Sequence, residues 1–348
     1  MVGLLRINRE NLLASLDAVK PGLVSQSSVC FDEQLGKFIF MGGKVYAYSD
    51  EIGVCVPSDI RGAGFAVESG KFYELLKKIN VDEVDVSVDN NEVKIVADNI
   101  RAGVSCVPVD EAPNFLMGVD ELSWINIPDD FSDAIKMVLI SCDRKTDVPI
   151  LSCVHISSDG YVETSDVYRF TRYYLNDCGI GLDESVLISY NAAAALLNYN
   201  VTKMAKNDSW VYFELDNNGV FACRRHSGEF PDFTKLIDVT GSNIKFNDGL
   251  NVLLDSVMVF SSDGAKCRPI NIAVGNGKAM IVAKGESGWA TCEVDVEFDG
   301  EFAFRINPRF LKEILALGTV EGVVSDRVIK FSGDGWVHLI ALVAGSDD

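Results

Sequence analysis

The chain has 348 residues, of which 48% are hydrophobic and 24% charged, and its formal net charge is −20. This length allows two or three domains, and this composition is typical of a globular protein with a sizeable core. No run approaches the roughly 18 apolar residues of a membrane span. The first residues also lack the basic start and apolar run of a signal peptide. Together these features predict a cytoplasmic protein that does not enter a membrane.

The nine cysteines are scattered singly, and no Cys-x-x-Cys pair occurs. Several alternate with apolar residues, as Cys55 does between Val54 and Val56. Cysteines in this pattern are typical of reduced thiols that pack as small core residues. The sequence therefore predicts neither a disulfide framework nor a metal site.

An internal repeat of about 60 residues organises the chain. Six segments share one plan, which is a short β-like run, a polar or capping residue and an amphipathic helix, and their starts lie 58 to 61 residues apart. They begin at Ile7, Val67, Ile127, Ile188, Phe246 and Ile306. Even spacing of this kind indicates six copies of one supersecondary unit.

The helices in these segments are predicted from apolar residues that recur every three or four positions. In chain order the clearest stripes are Phe72, Leu75, Leu76 and Ile79, then Phe131, Ala134, Ile135, Val138 and Leu139, then Leu250, Leu253, Leu254 and Val257. The fourth helix, over 191–199, is rich in alanine and has a weaker stripe.

Three polar residues are the predicted N-caps of these helices, and they are Ser69, Asn247 and Asn307. Pro308 suits the first helical position because its missing N–H has no intrahelical partner there.

Between the helices the apolar residues alternate with polar ones, as in Val84, Val86 and Val88. This period predicts antiparallel strands with one buried face, joined by hairpins. Each unit is then a strand, a helix and about three strands. One such unit cannot cover both its sheet and its helix stripe, so the units should pair. The predicted fold class is α+β, with three repeated domains over 1–120, 121–243 and 244–348.

Charge is distributed unevenly along this repeat. The six helix windows together are slightly positive, so the remaining residues carry more than the whole net charge of −20. Helices that face a polyanion would recruit phosphates without reading bases. Ordinary solvated lysines on exposed helix faces are the alternative. The candidate DNA-binding residues, in or just beyond the helices, are Lys20, Lys71, Lys77, Lys78, Lys136, Arg144, Lys145, Lys203, Lys206, Arg268, Arg309 and Lys312.

Signals for an enzyme are weak. The three histidines, at 155, 226 and 338, have no metal-ligand spacing. The segment 36–44 has the wrong glycine spacing for a phosphate loop. Gly62 to Gly64 precedes a strand, which is typical of a turn rather than of a dinucleotide-binding loop. Paired acids such as Asp129 and Asp130 open a predicted helix, where acidic residues are common. We therefore predict no catalytic residue, metal or cofactor.

Three motifs resemble those of the bacterial and phage DNA polymerase III beta-subunit sliding clamps. They are Ile306–Leu311 (INPRFL), Gly228–Phe233 (GEFPDF) and Glu163–Phe170 (ETSDVYRF). The resemblance covers nearly the whole chain. It implies a head-to-tail homodimer whose six domains close a ring around double-stranded DNA, with helices on the inner face and antiparallel sheets outside.

The resemblance also implies two protein-binding sites. A DNA polymerase and clamp-loader subunits would bind through short peptide motifs in an apolar cleft, formed by Leu151, Val167, Arg169, Phe170, Pro231, Leu236, Leu339, Ile340 and Leu342. The ring interface would pair the strand around Ala102 and Val104 with the end of the fifth helix, at Val259 and Phe260.

Two departures from the family lie in this implied cleft. Val167-Tyr168 replaces the family's Gly-His, and Ile340 to Asp348 replaces a Met-Pro-Met-Arg tail. Partner specificity therefore stays open. A clamp-shaped scaffold that binds proteins but not DNA is the main alternative, because function lives in sites rather than folds. The two-domain trimeric type of clamp is disfavoured by the length and by the six units.

Overall fold

The computed structural model describes residues 2–23, 36–62, 64–89, 91–144, 148–176, 181–246, 249–263, 266–318 and 321–343. Contacts divide the chain into two compact units. Unit 1 comprises Met1–Ile127 and Asn191–His226, and unit 2 comprises Pro128–Tyr190 and Ser227–Asp348. Elements are numbered in chain order.

Unit 1 contains one twelve-stranded antiparallel sheet. Its strands are β1 (Val2–Asn8), β2 (Lys37–Met41), β3 (Lys44–Tyr48), β4 (Ile52–Pro57), β5 (Phe65–Glu68), β6 (Glu83–Asp89), β7 (Glu92–Ala97), β8 (Ile100–Pro108), β9 (Ile125–Asn126), β14 (Val201–Lys206), β15 (Trp210–Leu215) and β16 (Val220–Arg224). They pair in the order β1-β6-β7-β8-β5-β2-β3-β4-β16-β15-β14-β9.

Unit 2 contains a second twelve-stranded sheet and a two-stranded ribbon of β18 and β19. Its strands are β10 (Cys153–Ile156), β11 (Tyr161–Ser165), β12 (Arg169–Tyr174), β13 (Val186–Ser189), β17 (Ser242–Phe246), β18 (Ser262–Asp263), β19 (Lys266–Cys267), β20 (Ile270–Gly275), β21 (Lys278–Gly285), β22 (Gly288–Phe298), β23 (Phe302–Ile306), β24 (Glu321–Val324), β25 (Val328–Gly333) and β26 (Trp336–Ala341). The large sheet has the order β13-β10-β11-β12-β26-β25-β24-β17-β22-β21-β20-β23.

The α-helices of the described chain are α1 (Arg9–Val19), α2 (Ser69–Lys78), α3 (Phe131–Val138), α4 (Tyr190–Leu196), α5 (Thr234–Ile237), α6 (Gly249–Ser261) and α7 (Pro308–Leu315). Short 3-10 turns occur at Lys20–Gly22, Asn114–Leu116, Val119–Glu121, Leu139–Ser141 and Pro149–Ser152. Among the described residues, no helix combines the length and the hydropathy needed to cross a membrane.

The predicted repeat is confirmed. Each of the six predicted helices follows a strand and precedes three strands of a large sheet, as α1 follows β1 and precedes β2, β3 and β4; after α6 the short ribbon of β18 and β19 comes first. The predicted stripes form the core, because Phe72, Phe131 and Leu254 are buried on the inner faces of α2, α3 and α6. Helix α5 is the exception: it is a single turn that the periodicity did not predict.

Two helix boundaries differ from the prediction. Glu68, not Ser69, caps α2, because its carboxylate accepts the N–H groups of Gly70 (3.1 Å) and Lys71 (2.8 Å). Helix α4 ends at Leu196 rather than 199, where the side-chain amide of Asn198 binds the Ala195 carbonyl at 3.0 Å. Such local bonds compete with the next helical turn.

The N-cap prediction for the last helix is confirmed. Asn307 Oδ1 accepts the N–H of Arg309 at 3.0 Å, and Pro308 occupies the first turn of α7. Asn247 lies outside the described residues. No disulfide joins the seven cysteines that the structure describes.

Each large sheet crosses a boundary of the predicted domains. Strand β4 pairs with β16 in unit 1, and β12 pairs with β26 in unit 2. Backbone hydrogen bonds therefore join strands from both sides of the predicted boundaries at residues 120 and 243. For this reason contacts alone do not separate three domains. The limits 1–120, 121–243 and 244–348 stay a prediction.

Candidate functional site

A groove of about 540 Å³ opens on the surface of unit 2. Three segments surround it: the turn between β11 and β12, the segment that contains α5, and the turn between β24 and β25. Residues that line this groove are Ser165, Val167, Tyr168, Arg169, Phe170, Phe233, Lys235, Leu236, Asp238, Val239, Thr240, Ser325, Asp326, Arg327, Val328, Leu339 and Ala341.

The floor of the groove is apolar. Phe170 on β12 and Leu339 on β26 are directly opposite each other in the sheet, and both are buried. The Phe233 ring stacks on Phe170 with their centres 4.7 Å apart, and Val239 and Val328 pack beside them. Phe233, Val239 and Val328 stay partly open to solvent, and a partner can cover them.

A row of hydrogen-bonded polar side chains underlies the α5 segment. His155 on β10, Glu163 on β11 and Arg172 on β12 are successive cross-strand neighbours. Glu163 accepts hydrogen bonds from Arg172 Nε and from His155 Nδ1, each at 2.7 Å. The Phe230 ring stacks on His155 with centres 5.1 Å apart, which attaches the α5 segment to this row.

The turn between β11 and β12 forms one wall and contains a strained residue. Val167 has φ +75°. Among the described residues, the other non-glycine residues with positive φ are Asn or Asp, which tolerate this region. A β-branched side chain does not, and such a conformation costs about 1–3 kcal/mol.

Hydrogen bonds hold this turn in place. The Asp166 carboxylate accepts the N–H groups of Tyr168 (3.1 Å) and Arg169 (2.9 Å), and Ser165 Oγ accepts that of Val167 at 3.2 Å. Burial raises the pKa of Asp166 above its usual value, although Arg169 partly offsets this rise. The Tyr168 carbonyl accepts the N–H of Ala341 at 2.7 Å, which docks the turn on β26.

Arg169 joins this turn to helix α7. Its guanidinium donates to Asp166 at 2.8 Å and also to Glu313 on α7, and it lies 4.2 Å from the centre of the Phe310 ring. A planar guanidinium suits this double role because its donors point in fixed directions. The wall of the groove is thus fixed to the helix that carries Arg309 and Lys312.

Five of the nine predicted cleft residues line the groove, and they are Val167, Arg169, Phe170, Leu236 and Leu339. The structure does not bring the other four there. Ile340 alternates to the opposite face of β26 and is fully buried in the core. Leu342 lines a different cavity, beside Phe304 and Arg305.

Of the last two predicted residues, one is buried and the other is exposed. Leu151 is buried in a 3-10 turn, where its carbonyl accepts the N–H of Asp143 at 3.1 Å. Pro231 is exposed. Sequence reasoning missed Phe233, although it ends the motif Gly228–Phe233. Its aromatic character was the signal that could have identified it.

The predicted DNA-binding residues fall into two groups. Within the described chain, six exposed cations have no acidic partner, and they are Lys71, Lys77, Lys78, Lys136, Arg144 and Arg309. Arg144 lies 4.3 Å from the centre of the Tyr190 ring. Lys145 lies outside the described residues.

The other predicted cations are half-buried. Four form ion pairs, which are Lys20 with Asp17, Lys203 with Glu214, Arg268 with Glu286, and Lys312 with Asp255. Lys203 and Lys206 lie on β14 rather than on a helix. A cation already paired with a carboxylate gains less from a second anion, so the exposed cations of the first group would gain more.

The predicted interface residues lie beside unpaired strand edges. In the described chain, β8 pairs with β7 over Ile100–Ser105 but with β5 only over Cys106–Pro108. Ala102 and Val104 lie in the half-paired part. Similarly, β22 pairs with β17 only over Val296–Phe298. Such open edges are able to accept a strand from another chain.

The end of α6 lies next to the open edge of β22. Val259 is exposed, whereas Phe260 packs on the hairpin between β21 and β22. A side chain at Gly288 would come within 2.9 Å of the Phe260 ring, so glycine is required for this approach. Trp289 beside it is also exposed.

Solved structures of bacterial replication proteins are similar to this chain over almost its whole length. A DNA polymerase sliding clamp from Pseudomonas aeruginosa has a TM-score of 0.84 at 16% identity, and covers 98% of this chain and 99% of that one. The DNA polymerase III beta subunit from Thermotoga maritima has a TM-score of 0.81 at 17% identity, covering 99% and 100%. The fold is that of the sliding clamps.

A putative DNA polymerase III beta subunit from Eubacterium rectale gives the same result, with a TM-score of 0.82, 16% identity and 98% coverage of both chains. No protein-family model and no curated protein sequence matches this chain. The predicted clamp fold is therefore confirmed by backbone geometry. A sequence identity of 16% to 17% shows the fold and not the function.

Proposed function

We propose that this protein is a DNA sliding clamp, the processivity subunit of a DNA polymerase, with no active site of its own. Two copies, each of three clamp domains, would close head-to-tail into a ring around duplex DNA in the cytoplasm. The observation that carries this proposal is the similarity to sliding clamps over 98% of the chain at a TM-score of 0.84.

The groove supports a role in tethering partners. A volume of about 540 Å³ accommodates a few side chains of an extended segment rather than the surface of a folded domain. Its floor of Phe170, Phe233 and Leu339 would accept apolar anchors, which dominate the binding energy of such contacts. We propose that DNA polymerase and clamp-loader subunits bind here through short peptide motifs.

The open strand edges support a ring. If β8 of one copy paired with β22 of another, the two surfaces in contact would differ, and a heterologous contact of this kind closes into a ring when its rotation allows. Val259 and Phe260 at the end of α6 would supply apolar area beside the paired strands.

The unpaired cations support weak contact with phosphates. A sliding protein needs contacts that are individually weak and independent of sequence, and lysines on exposed helix faces provide these. Lys71, Lys77 and Lys78 lie on one short helix, α2, and none has an acidic partner in the described chain. Once the ring is closed, topology rather than affinity would hold it on DNA.

Retention on circular DNA tests this proposal without a clamp loader. The protein is incubated with a plasmid cut once, the plasmid is ligated in its presence, and free protein is removed by gel filtration at high salt. Half of the sample is then cut again. We expect the protein to stay with the closed circle and to leave the cut DNA, because only a closed circle prevents a ring from sliding off.

Two variants make the test sharper. Substituting Lys77→Ala should reduce the salt slope of unassisted binding by about one unit, whereas Lys284→Ala, an exposed lysine on β21, should leave it unchanged. Equal release from circular and cut DNA would refute the clamp and favour a scaffold that binds only proteins.

A further inference from the structure

We propose that residues 113–122 form a strap that fills a second groove from within the chain, and that this groove, once open, binds a partner segment through an aromatic side chain. The strap and the strands beneath it belong to unit 1. They involve neither the groove of unit 2 nor the closure of a ring, so the strap goes beyond the proposed function.

The first observation is that the β4–β16 pairing of unit 1 repeats the β12–β26 pairing of unit 2. Each pairing joins the last strands of two repeat units. In unit 1 the Arg224 N–H donates to the Glu51 carbonyl at 2.9 Å, as the Ala341 N–H donates to the Tyr168 carbonyl at 2.7 Å in unit 2. The two pairings are therefore equivalent positions of the internal repeat.

This equivalence identifies a counterpart for the floor of the unit 2 groove. Counted from these hydrogen bonds, the floor pair of Leu339 and Phe170 corresponds to Ala222 and Gly53 in unit 1. Both residues of the unit 1 pair are small. The surface of unit 1 therefore has space at the place where unit 2 has two large side chains.

The strap fills this space with the ring of Phe115. Phe115 is 3% exposed, and its ring centre lies 5.9 Å from that of Tyr48 and 6.0 Å from that of Trp210. Ala222 belongs to the same buried cluster. A Cβ atom on Gly53 would come within 2.6 Å of the Phe115 ring, so glycine is required for this contact.

Side-chain packing alone attaches the strap to the sheet. Its backbone hydrogen bonds are local, as from the Leu116 N–H to the Pro113 carbonyl and from the Leu122 N–H to the Val119 carbonyl. In the described chain, none of them joins the strap to a strand. The strap can therefore leave without breaking a hydrogen bond of the sheet, and the buried ring of Phe115 is its anchor.

The chemistry of the strap defines the chemistry of a partner. A segment that replaces it must offer an aromatic ring for the space above Gly53, with small or apolar neighbours. Because β8 and β9 hold the strap at both ends, it competes at an effective concentration on the order of millimolar. A free segment of the same sequence should therefore bind only when the ring of Phe115 is removed.

Two peptides and a local probe test this. One peptide has the sequence of residues 112–118, and the other has alanine in place of its phenylalanine. Each is titrated into the full chain labelled with fluorotryptophan, and binding is followed by fluorine NMR. The Trp210 signal, assigned with Trp210→Phe, reports on the space beside the strap. Trp289 and Trp336 belong to unit 2 and serve as internal controls.

We expect the phenylalanine peptide to shift the Trp210 signal of Phe115→Ala and to leave that of wild type unchanged. It should bind this variant about tenfold more tightly than the alanine peptide does, because only the ring refills the vacated space. The signals of Trp289 and Trp336 should not follow this difference between variant and wild type.

Two control variants separate release of the strap from binding in its place. Gly53→Ala keeps the strap sequence but puts a methyl group where the ring lies, so it should release the strap and still bind neither peptide. Met117→Ala changes an exposed side chain of the same strap and should behave as wild type.

Three results would overturn the strap. These are a Trp210 signal that neither peptide moves in folded Phe115→Ala, equal binding of the two peptides by this variant, and binding by Gly53→Ala as tight as by Phe115→Ala. Circular dichroism checks folding. If Phe115→Ala does not fold, Phe115→Leu, which removes the ring but keeps apolar volume, is titrated with the same expected and contradicting outcomes.

Discussion

His338 lies on β26 in the core of unit 2 and has no exposed surface. Its Nδ1 is 2.8 Å from Thr171 Oγ1, which in turn is 2.6 Å from Ser141 Oγ. In the described chain Nε2 has no hydrogen-bond partner. Burial, and to a lesser extent the charge of Arg169, lowers the pKa of His338 from 6.5 to about 3.

From the lowered pKa of His338 we predict that the folded protein loses stability in mild acid. The unfolded chain protonates His338 near pH 6.5, whereas the folded chain keeps it neutral down to about pH 3. The unfolded state therefore binds more protons in this window, and stability present above pH 6.5 falls as the pH drops through it. Between pH 7.5 and 5.0 this contribution is about 2 kcal/mol.

Urea unfolding at these two pH values measures the effect. His338→Leu should reduce the difference in unfolding free energy by about 2 kcal/mol relative to wild type. Thr171→Val removes the hydroxyl partner but keeps the buried imidazole, so it should retain the wild-type difference. If His338→Leu loses as much stability in acid as wild type does, other groups cause the loss.

At the scale of elements, strands β10, β11 and β12 share the row of His155, Glu163 and Arg172, in which Glu163 and Arg172 are buried. Arg172→Met should destabilise unit 2 by about 3–5 kcal/mol, because it leaves the Glu163 carboxylate buried without its guanidinium. The double variant Arg172→Met with Glu163→Gln should recover much of this loss, since no buried charge is left. Chemical unfolding of the three proteins measures both steps. A double variant less stable than Arg172→Met would mean that the row stabilises through shape rather than charge.

The same scale shows how much the sequence could predict. Periodicity predicted six helices and their buried stripes, because burial of one face imposes that period locally. The one-turn helix α5 has no period to detect, and it supplies Phe233, Leu236 and one wall of the groove. The Glu68 cap was missed because Ser69 is the stronger cap by residue type, while the chain enters the helix one residue earlier.

The groove was predicted in part, for a related reason. The resemblance assigned Val167, Phe170 and Leu339 to a cleft, and all three line the groove, because motif positions carry over when the backbone does. It assigned Ile340 there too, but Ile340 faces the core, since a residue on β26 faces the groove or the core according to strand register, which the sequence does not define. The sequence also did not show the strain at Val167, because the φ of this turn is set by hydrogen bonds that the side chains of Ser165 and Asp166 accept from backbone N–H groups.

At the scale of the whole molecule, the end of α6 is the clearest test of assembly. Val259→Asp should convert the proposed dimer to monomers without unfolding the chain, because Val259 is exposed in the single chain and the proposed ring would bury a charge there. Phe260→Asp should act in the same direction, although Phe260 also packs on the β21–β22 hairpin. Analytical ultracentrifugation at micromolar concentration, with circular dichroism as the check on folding, measures the change.

The control for assembly is on the same helix. Val252→Asp places the same charge on another exposed position of α6 and should leave the oligomeric state unchanged. A wild-type protein that is strictly monomeric at micromolar concentration would contradict the ring, and dimers that survive Val259→Asp would move the interface elsewhere.

The pairing of β4 with β16 also has a consequence for the order of synthesis. Residues 52–57 leave the ribosome long before residues 220–224, and translation at roughly 5–20 residues per second makes the delay on the order of 10–30 s. Throughout that interval the growing chain exposes an apolar strand edge with no partner of its own. Unit 1 is completed only by a segment encoded after Pro128–Tyr190, the first segment of unit 2, so we expect that edge to stay open to pairing with a neighbouring chain until then.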